Sequence, residues 1–334
     1  MSVSQASEDF SVQSIRKLEA GGPVERIHFV ADTAVFVSGN GDVLLQSEHG
    51  EPRSVSLFEG ALLSSAASKN CLIAGGDDGR VVELRMGEEP REIATDSKRR
   101  WIDHLATNET GTIAWAAGKQ AFVRAPDGNV VCIDLPSSAG GLAFSKNHLG
   151  IAHYNGVMLW PLEGGDNGKK LNFDGMHTGI SFHSDGEFIV TRMREPALHG
   201  WCLREGGEHA MEGYSAPVQS IDWSADGYWL ASSGSRYLAL WPVRQPQNPI
   251  TNVPFLLTGY RAISTTVACH PRHNVVAVGY ADGAVLLIRI RDEAEILVKN
   301  ATGTAAVSAL EWNADGSYLG IGCTDGSGRL IRFA

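Results

Sequence analysis

The residues best equipped for chemistry in this 334-residue chain are its histidines, cysteines and carboxylates, and their spacing decides whether they act together. Cys269-His270-Pro271-Arg272-His273 sets a thiol beside a His-x-x-His pair, donor types that hold zinc. No second ligand pair lies nearby in sequence, and none of the five cysteines (71, 132, 202, 269 and 323) belongs to a Cys-x-x-Cys. Single scattered thiols, odd in number, fit buried free cysteines in a reducing, cytoplasmic compartment. Asp103 and Glu311 are candidate acid–base groups, but nothing in their spacing pairs them. A GxSxG nucleophile elbow and a GxxxxGK[ST] phosphate loop are both missing, and GGDDG at 75–79 joins two apolar runs, as a hairpin turn does. No catalytic residue, metal ligand or cofactor is assigned on these grounds.

Whatever chemistry exists must be positioned by a repeat. A short apolar strand, a polar turn, a second strand, a Gly/Asp/Asn turn and a third strand recur from Ile27, Ser64, His104, Leu142, Ile180, Ile221, Val267 and Leu310. With Phe29, Ala66, Ala106, Phe144, Phe182, Trp223, Cys269 and Trp312 equivalent, the steps are 37, 40, 38, 38, 41, 46 and 43 residues. Further strand-like runs at 53–57, 130–134, 170–173, 252–257 and 295–298 supply a fourth strand to most copies. Four-stranded units with two apolar faces bury both by stacking in a ring, which predicts an all-β, single-domain, eight-bladed β-propeller over 21–334, with seven blades the alternative. The last copy ends on its third strand, Gly328–Phe333; residues 1–20 hold the segment, Phe10–Leu18, expected to close that blade. Val12, Ile15 and Leu18 are also spaced like one helix face.

The repeat alignment changes the reading of the histidines. Cys269 falls at the core position of Trp223 and Trp312, so His270 falls in a solvent turn, as does His183. The inner strands carry polar groups at Glu25, His28, Asp103, His104, Ser181, Ser220, Asp222, Thr265, Thr266, Ser308 and Glu311, without a converging catalytic set.

The period resembles that of WD-repeat β-propellers. Trp160, Trp201 and Trp241 sit at the family's third-strand tryptophan, and HSDG (183–186), SADG (224–227) and NADG (313–316) resemble its first-to-second strand turn. The residue after each Trp is Pro161, Cys202 or Pro242, never Asp. The family's Asp–His–Ser/Thr–Trp hydrogen-bond set is most nearly matched by His177, Thr191 and Trp201. The resemblance implies a non-catalytic protein- or peptide-binding scaffold. The alternative within propellers is a lactonase- or hydrolase-type enzyme acting at the channel mouth.

In this fold the second-to-third strand turns and the loops leading into each blade share one side. Those loops carry Lys98, Arg99, Arg100, Trp101, Lys119, Tyr154, Arg192, Arg194, Tyr214, Arg236, Tyr237, Tyr260, Arg261 and Tyr280. Arg, Tyr and Trp dominate interface energies, and Arg suits acidic or phosphorylated groups. We expect Arg99, Arg100, Trp101, Tyr154, Arg192, Arg194, Tyr214, Arg236, Tyr237, Tyr260, Arg261 and Tyr280 to form a partner-binding face. A net charge of −10 and the lack of a continuous basic stripe argue against nucleic acid as the partner. No apolar run has the length of a membrane helix.

Overall fold

The structure, a computed structural model, describes residues 10–163, 168–204, 206–243 and 253–334. Residues 1–9 of the expected closing segment, and Asn252 of the expected strand at 252–257, lie outside the described residues. Every helix or strand among the described residues is a strand. The second strands of the repeat, such as Ile113–Ala117 and Val275–Tyr280, are buried at every position. Sheets cover both of their faces, which is why they read as unbroken apolar runs rather than alternating ones. The fourth strands, such as Arg53–Ser56 and Val130–Asp134, lie at the rim and are exposed at all but one position.

Hydrogen bonding joins the strands into seven sheets, six of four strands and one of six. The expectation of eight separate blades is corrected to the alternative count of seven. The cause is local: His148–Pro161 and Lys169–Phe182 each run for 14 residues, and each serves as two strands of the repeat. The copies from Leu142 and Ile180 are thereby fused, with Tyr154 paired to Met176 where a break would fall and bulges at Tyr154/Gly156 and His177/Gly179. Both fused copies still present an innermost strand, Ala139–Phe144 and the second half of Lys169–Phe182.

The chain meets itself at the last sheet. Val12–Glu19 pairs antiparallel with Ser327–Phe333, beside Tyr318–Cys323 and Val307–Trp312. The segment is therefore a strand, and the helical spacing of Val12, Ile15 and Leu18 is coincidental: Leu18 is buried while Val12 and Ile15 face solvent. Phe10 packs edge-on to Phe333 and His270.

Between neighbouring blades, side chains tie the inner strands together. The hydroxyls of Ser64, Ser220, Thr265 and Ser308 donate to the carbonyls of Ile102 (2.6 Å), Val267 (3.1 Å), Val307 (2.6 Å) and Val24 (2.6 Å). The last of these joins the final sheet to the first across 284 residues of sequence. Indole groups do the same, Trp223 Nε1 to Ser181 Oγ at 2.9 Å and Trp312 Nε1 to the Ala268 carbonyl at 3.2 Å.

His183 and His270 are not in solvent turns, which corrects their expected placement; they are 4 % and 3 % exposed. Each Nε2 donates to a glycine carbonyl of the next copy's turn, Gly227 at 3.0 Å and Gly316 at 3.2 Å. The Nδ1 of His270 accepts from the amides of Arg272 and His273, which fixes the proton on Nε2. Gly316 has φ +80°, and a Cβ there would run into the His270 ring, so glycine is required on both counts.

Deleting residues 1–19 is expected to leave Ser327–Phe333 as an unpaired edge and to remove Leu18 from the core, a loss of about 2–5 kcal/mol for that side chain alone. Size-exclusion chromatography with light scattering should show aggregation; a monodisperse truncation with an unchanged unfolding midpoint would refute this closure.

Candidate interaction face and central channel

Antiparallel register fixes which loops share a side. His104, at the start of an inner strand, pairs with Ala116 near the end of the second, so the loop before one and the turn after the other lie together. Bonds between loops confirm the grouping: Arg100 Nη2 to Gln120 Oε1 at 2.9 Å, the Tyr260 amide to the Arg236 carbonyl at 2.9 Å, and Arg261 Nε to Asp282 Oδ2 at 2.9 Å.

The twelve expected residues separate into three groups. Trp101 (63 % exposed), Tyr154 (58 %), Tyr237 (46 %), Arg194 and Arg236 are open to solvent, and none has a side-chain hydrogen bond or ion pair among the described residues. Arg99, Arg100, Tyr260 and Arg261 are engaged within the protein. Asp96 accepts from Arg100 at 2.6 Å and Asp282 from Arg261, whose guanidinium also lies over the Tyr260 ring; Arg99 Nη1 reaches the Asp78 carbonyl at 3.4 Å.

The side chains of Arg192, Tyr214 and Tyr280 turn away from the open face, which corrects their expected placement. Tyr280 is fully buried against Tyr260, with ring centroids 4.2 Å apart. The Tyr214 hydroxyl accepts from Trp241 Nε1 at 2.7 Å and lies 2.8 Å from Ser232 Oγ. Burial pushes that phenol above its ordinary range. Arg192 turns into the channel, where it donates to the carbonyls of Gln219 and Thr178.

One exposed residue was not anticipated. Met176 (42 % exposed) pairs with Tyr154, and its carbonyl accepts from the Arg194 amide at 2.9 Å. Tyr154, Met176 and Arg194 are thus neighbours on the open side. The signal was hidden because Met176 lies where the repeat leaves a connection between copies.

The best match to the family's hydrogen-bond set is altered. His177 Nε2 donates to the Phe173 carbonyl at 3.0 Å, in place of the missing Asp, and Nδ1 lies 2.8 Å from Thr191 Oγ1. Among the described residues the buried Trp201 Nε1 has no hydrogen-bond partner, and neither does either ring nitrogen of His199, which stacks on Phe173 at 3.5 Å with Nε2 lying 3.7 Å from a Glu208 carboxylate oxygen. Burial, then His177 and His209, lower the His199 pKa to about 4.

The channel holds the polar inner-strand residues in layers. Arg26, Asp103, His104 and Arg192 line a cavity of about 530 Å³. In a neighbouring layer His28 bonds Ser65 at 2.9 Å, and its pKa is lowered to about 3 by burial and then by Arg26. Asp222 accepts from the amides of Trp223 (2.9 Å) and Cys269 (2.7 Å), a structural role; burial nonetheless raises it to about 6. Glu311 opens to the channel but is hemmed in by protein. Loss of bulk water, then the Asp222 carboxylate, push it up to about 8. Asp103 lines the cavity and Glu311 does not, so the two are not brought together as acid and base. Among the described residues no three His, Cys, Asp or Glu side chains converge as metal ligands, the Cys269–His273 run included.

Comparison with known proteins agrees with this architecture. Residues 266–334 match the family model of the anaphase-promoting complex subunit 4 WD40 domain, and residues 206–242 match the WD domain, G-beta repeat. Pre-mRNA-processing factor 19 of Oryza sativa subsp. japonica is 26 % identical over 167 residues, 46 % of this chain and 30 % of that protein. Pre-mRNA-processing factor 19 homolog 2 of Arabidopsis thaliana is 21 % identical over 175 residues, 50 % of this chain and 30 % of that protein. The match thus spans less than a third of the length of these relatives. The crystal structure of the computationally designed Ika8 protein superposes with a TM-score of 0.75 at 17 % identity, covering 95 % of this chain and 98 % of that one, a likeness of fold alone.

Two measurements test these assignments. Tyr214→Phe should strand the buried Trp241 indole N–H and cost about 1–3 kcal/mol in denaturant unfolding, marking Tyr214 as structural; an unchanged midpoint would show the bond is not needed. For Glu311 the folded carboxyl keeps its proton up to about pH 8, whereas the unfolded one loses it near 4.5. Between these values the folded state binds more protons, so stability falls as pH rises. Glu311→Gln should therefore unfold at higher temperature than wild type at pH 9 and at nearly the same temperature at pH 4; an equal gap at both pH values would refute the assignment.

Proposed function

We propose that this β-propeller, whose residues 206–242 and 266–334 match WD-repeat models, is a non-catalytic WD-repeat interaction module holding a protein or peptide on its open loop face. In this reading residues 1–20 serve to close the ring and 21–334 form the module. The observation that carries the proposal is the exposed cluster of Tyr154, Met176 and Arg194. Aromatic, Met and Arg side chains are the types enriched at interface centres, and strand-borne groups need little backbone ordering on binding. Trp101, Arg236 and Tyr237 extend the same chemistry along neighbouring loops. The arginines would meet acidic or phosphorylated groups of the partner, while Tyr and Trp supply buried area. WD-repeat propellers generally bind proteins, which supports a scaffold over the lactonase- or hydrolase-type alternative.

Tyr154→Ala with Arg194→Glu changes exposed side chains only. Affinity capture with wild type and this variant, analysed by mass spectrometry, should show a wild-type partner weakened at least about 100-fold, consistent with two central interface residues. The unfolding free energy should change by less than about 0.5 kcal/mol. Undiminished capture by the variant would refute the face.

A further inference from the structure

We propose that the central channel binds a phosphate monoester dianion between Arg26 and Arg192. Arg26 lies on the innermost strand Val24–Val30, faces the cavity of about 530 Å³, and has neither a side-chain hydrogen bond nor an ion pair among the described residues. Arg192 comes from the strand Phe188–Met193 and reaches the same cavity over Gly179. Any Cβ at 179 would occupy the space of its guanidinium. The carbonyls of Thr178 and Gln219 hold that guanidinium in place without neutralising it. The two cations lie within each other's field: burial first, and Arg26 second, lower Arg192 to about 10. A protein of net charge −10 thus keeps two arginines in one cavity against a single lining carboxylate, Asp103, with His104 beside it; Glu311, outside the lining, lies in the field of Arg26, but burial holds its carboxyl toward the neutral form.

Unrelieved repulsion between positioned cations is the mark of a site whose counter-charge comes from outside. Two guanidinium forks carry two positive charges, which a single carboxylate monoanion cannot balance; a phosphate monoester dianion matches both charges and offers three terminal oxygens to the two forks. The cavity has the volume of a small-molecule site, and its charged and hydroxyl-bearing wall selects a hydrophilic ligand. The phosphate is carried either by a small molecule or by a side chain of a partner. The site does not depend on the loop face proposed above.

The test is isothermal titration of the full chain in phosphate-free buffer with glycerol 2-phosphate, with acetate as comparator and a phosphoserine peptide as a second probe. Wild type should bind the monoester and give no heat with acetate. Arg26→Gln, which breaks no described contact, should weaken binding about tenfold or more with an unchanged unfolding midpoint, and Asp103→Asn should tighten it about threefold. Binding of the free monoester identifies a small-molecule site; binding of the phosphopeptide alone identifies a partner's side chain, and either supports the proposal. Heat with neither probe, or equal affinity for wild type and Arg26→Gln, overturns it. The Tyr154→Ala, Arg194→Glu variant should still bind the monoester, which separates failure of the face from failure of the channel.

Discussion

A ring of sheets has one physical difficulty that its other features answer: outside the fused pair, neighbouring blades share no strand-to-strand ladder among the described residues. Hydroxyls on the innermost strands bridge that gap. Ser64, Ser220, Thr265 and Ser308 each donate to a carbonyl of the adjoining blade or its lead-in loop, and His183 and His270 repeat the device farther along with imidazole. Each such bond satisfies an inner-wall polar group that would otherwise be costly to enclose. With the blades fixed to one another, the loops and the channel wall become rigid platforms, and rigidity is what a binding surface needs.

The same constraint explains how far the sequence could be read. Strands and hairpins are local: ADG turns and short apolar runs state them directly, and the rim strand Val130–Asp134 matches residue for residue. Contacts between blades are not local. Ser220 and Val267 lie 47 residues apart, so a hydroxyl that serves as a clip looks like a hydroxyl available for chemistry. The fused sheet was likewise hidden, since the Tyr154–Met176 pairing crosses a connection that the repeat treats as a break. Tyr280 ends a strand where either direction satisfies the pattern, and only packing against Tyr260 turns it inward. Of the face, the exposed Trp101, Tyr154, Arg194, Arg236 and Tyr237 were legible because loop position predicts exposure; Met176 was not.

Charge is distributed with the same economy. The acidic excess of the chain is spread over turns, where Asp78, Asp96, Asp282 and Asp292 hold neighbouring arginines at 2.5–2.9 Å and are themselves kept well ionised. Arg26, Arg194 and Arg236 are left without such partners among the described residues. Unpaired cations thus stand in the channel and on the open side, so a molecule with net charge −10 still presents a local field there that draws anions.

The fused six-stranded sheet has a mechanical consequence. Where blades are separate, one can fray while its neighbours hold, and amide exchange proceeds blade by blade. Across His148–Pro161 and Lys169–Phe182 the backbone ladder continues through two copies of the repeat, so opening either strains both. That sector is a stiffened beam in an otherwise segmented ring. Tyr154, Met176 and Arg194 stand on it, and a load applied there is shared by six strands rather than four.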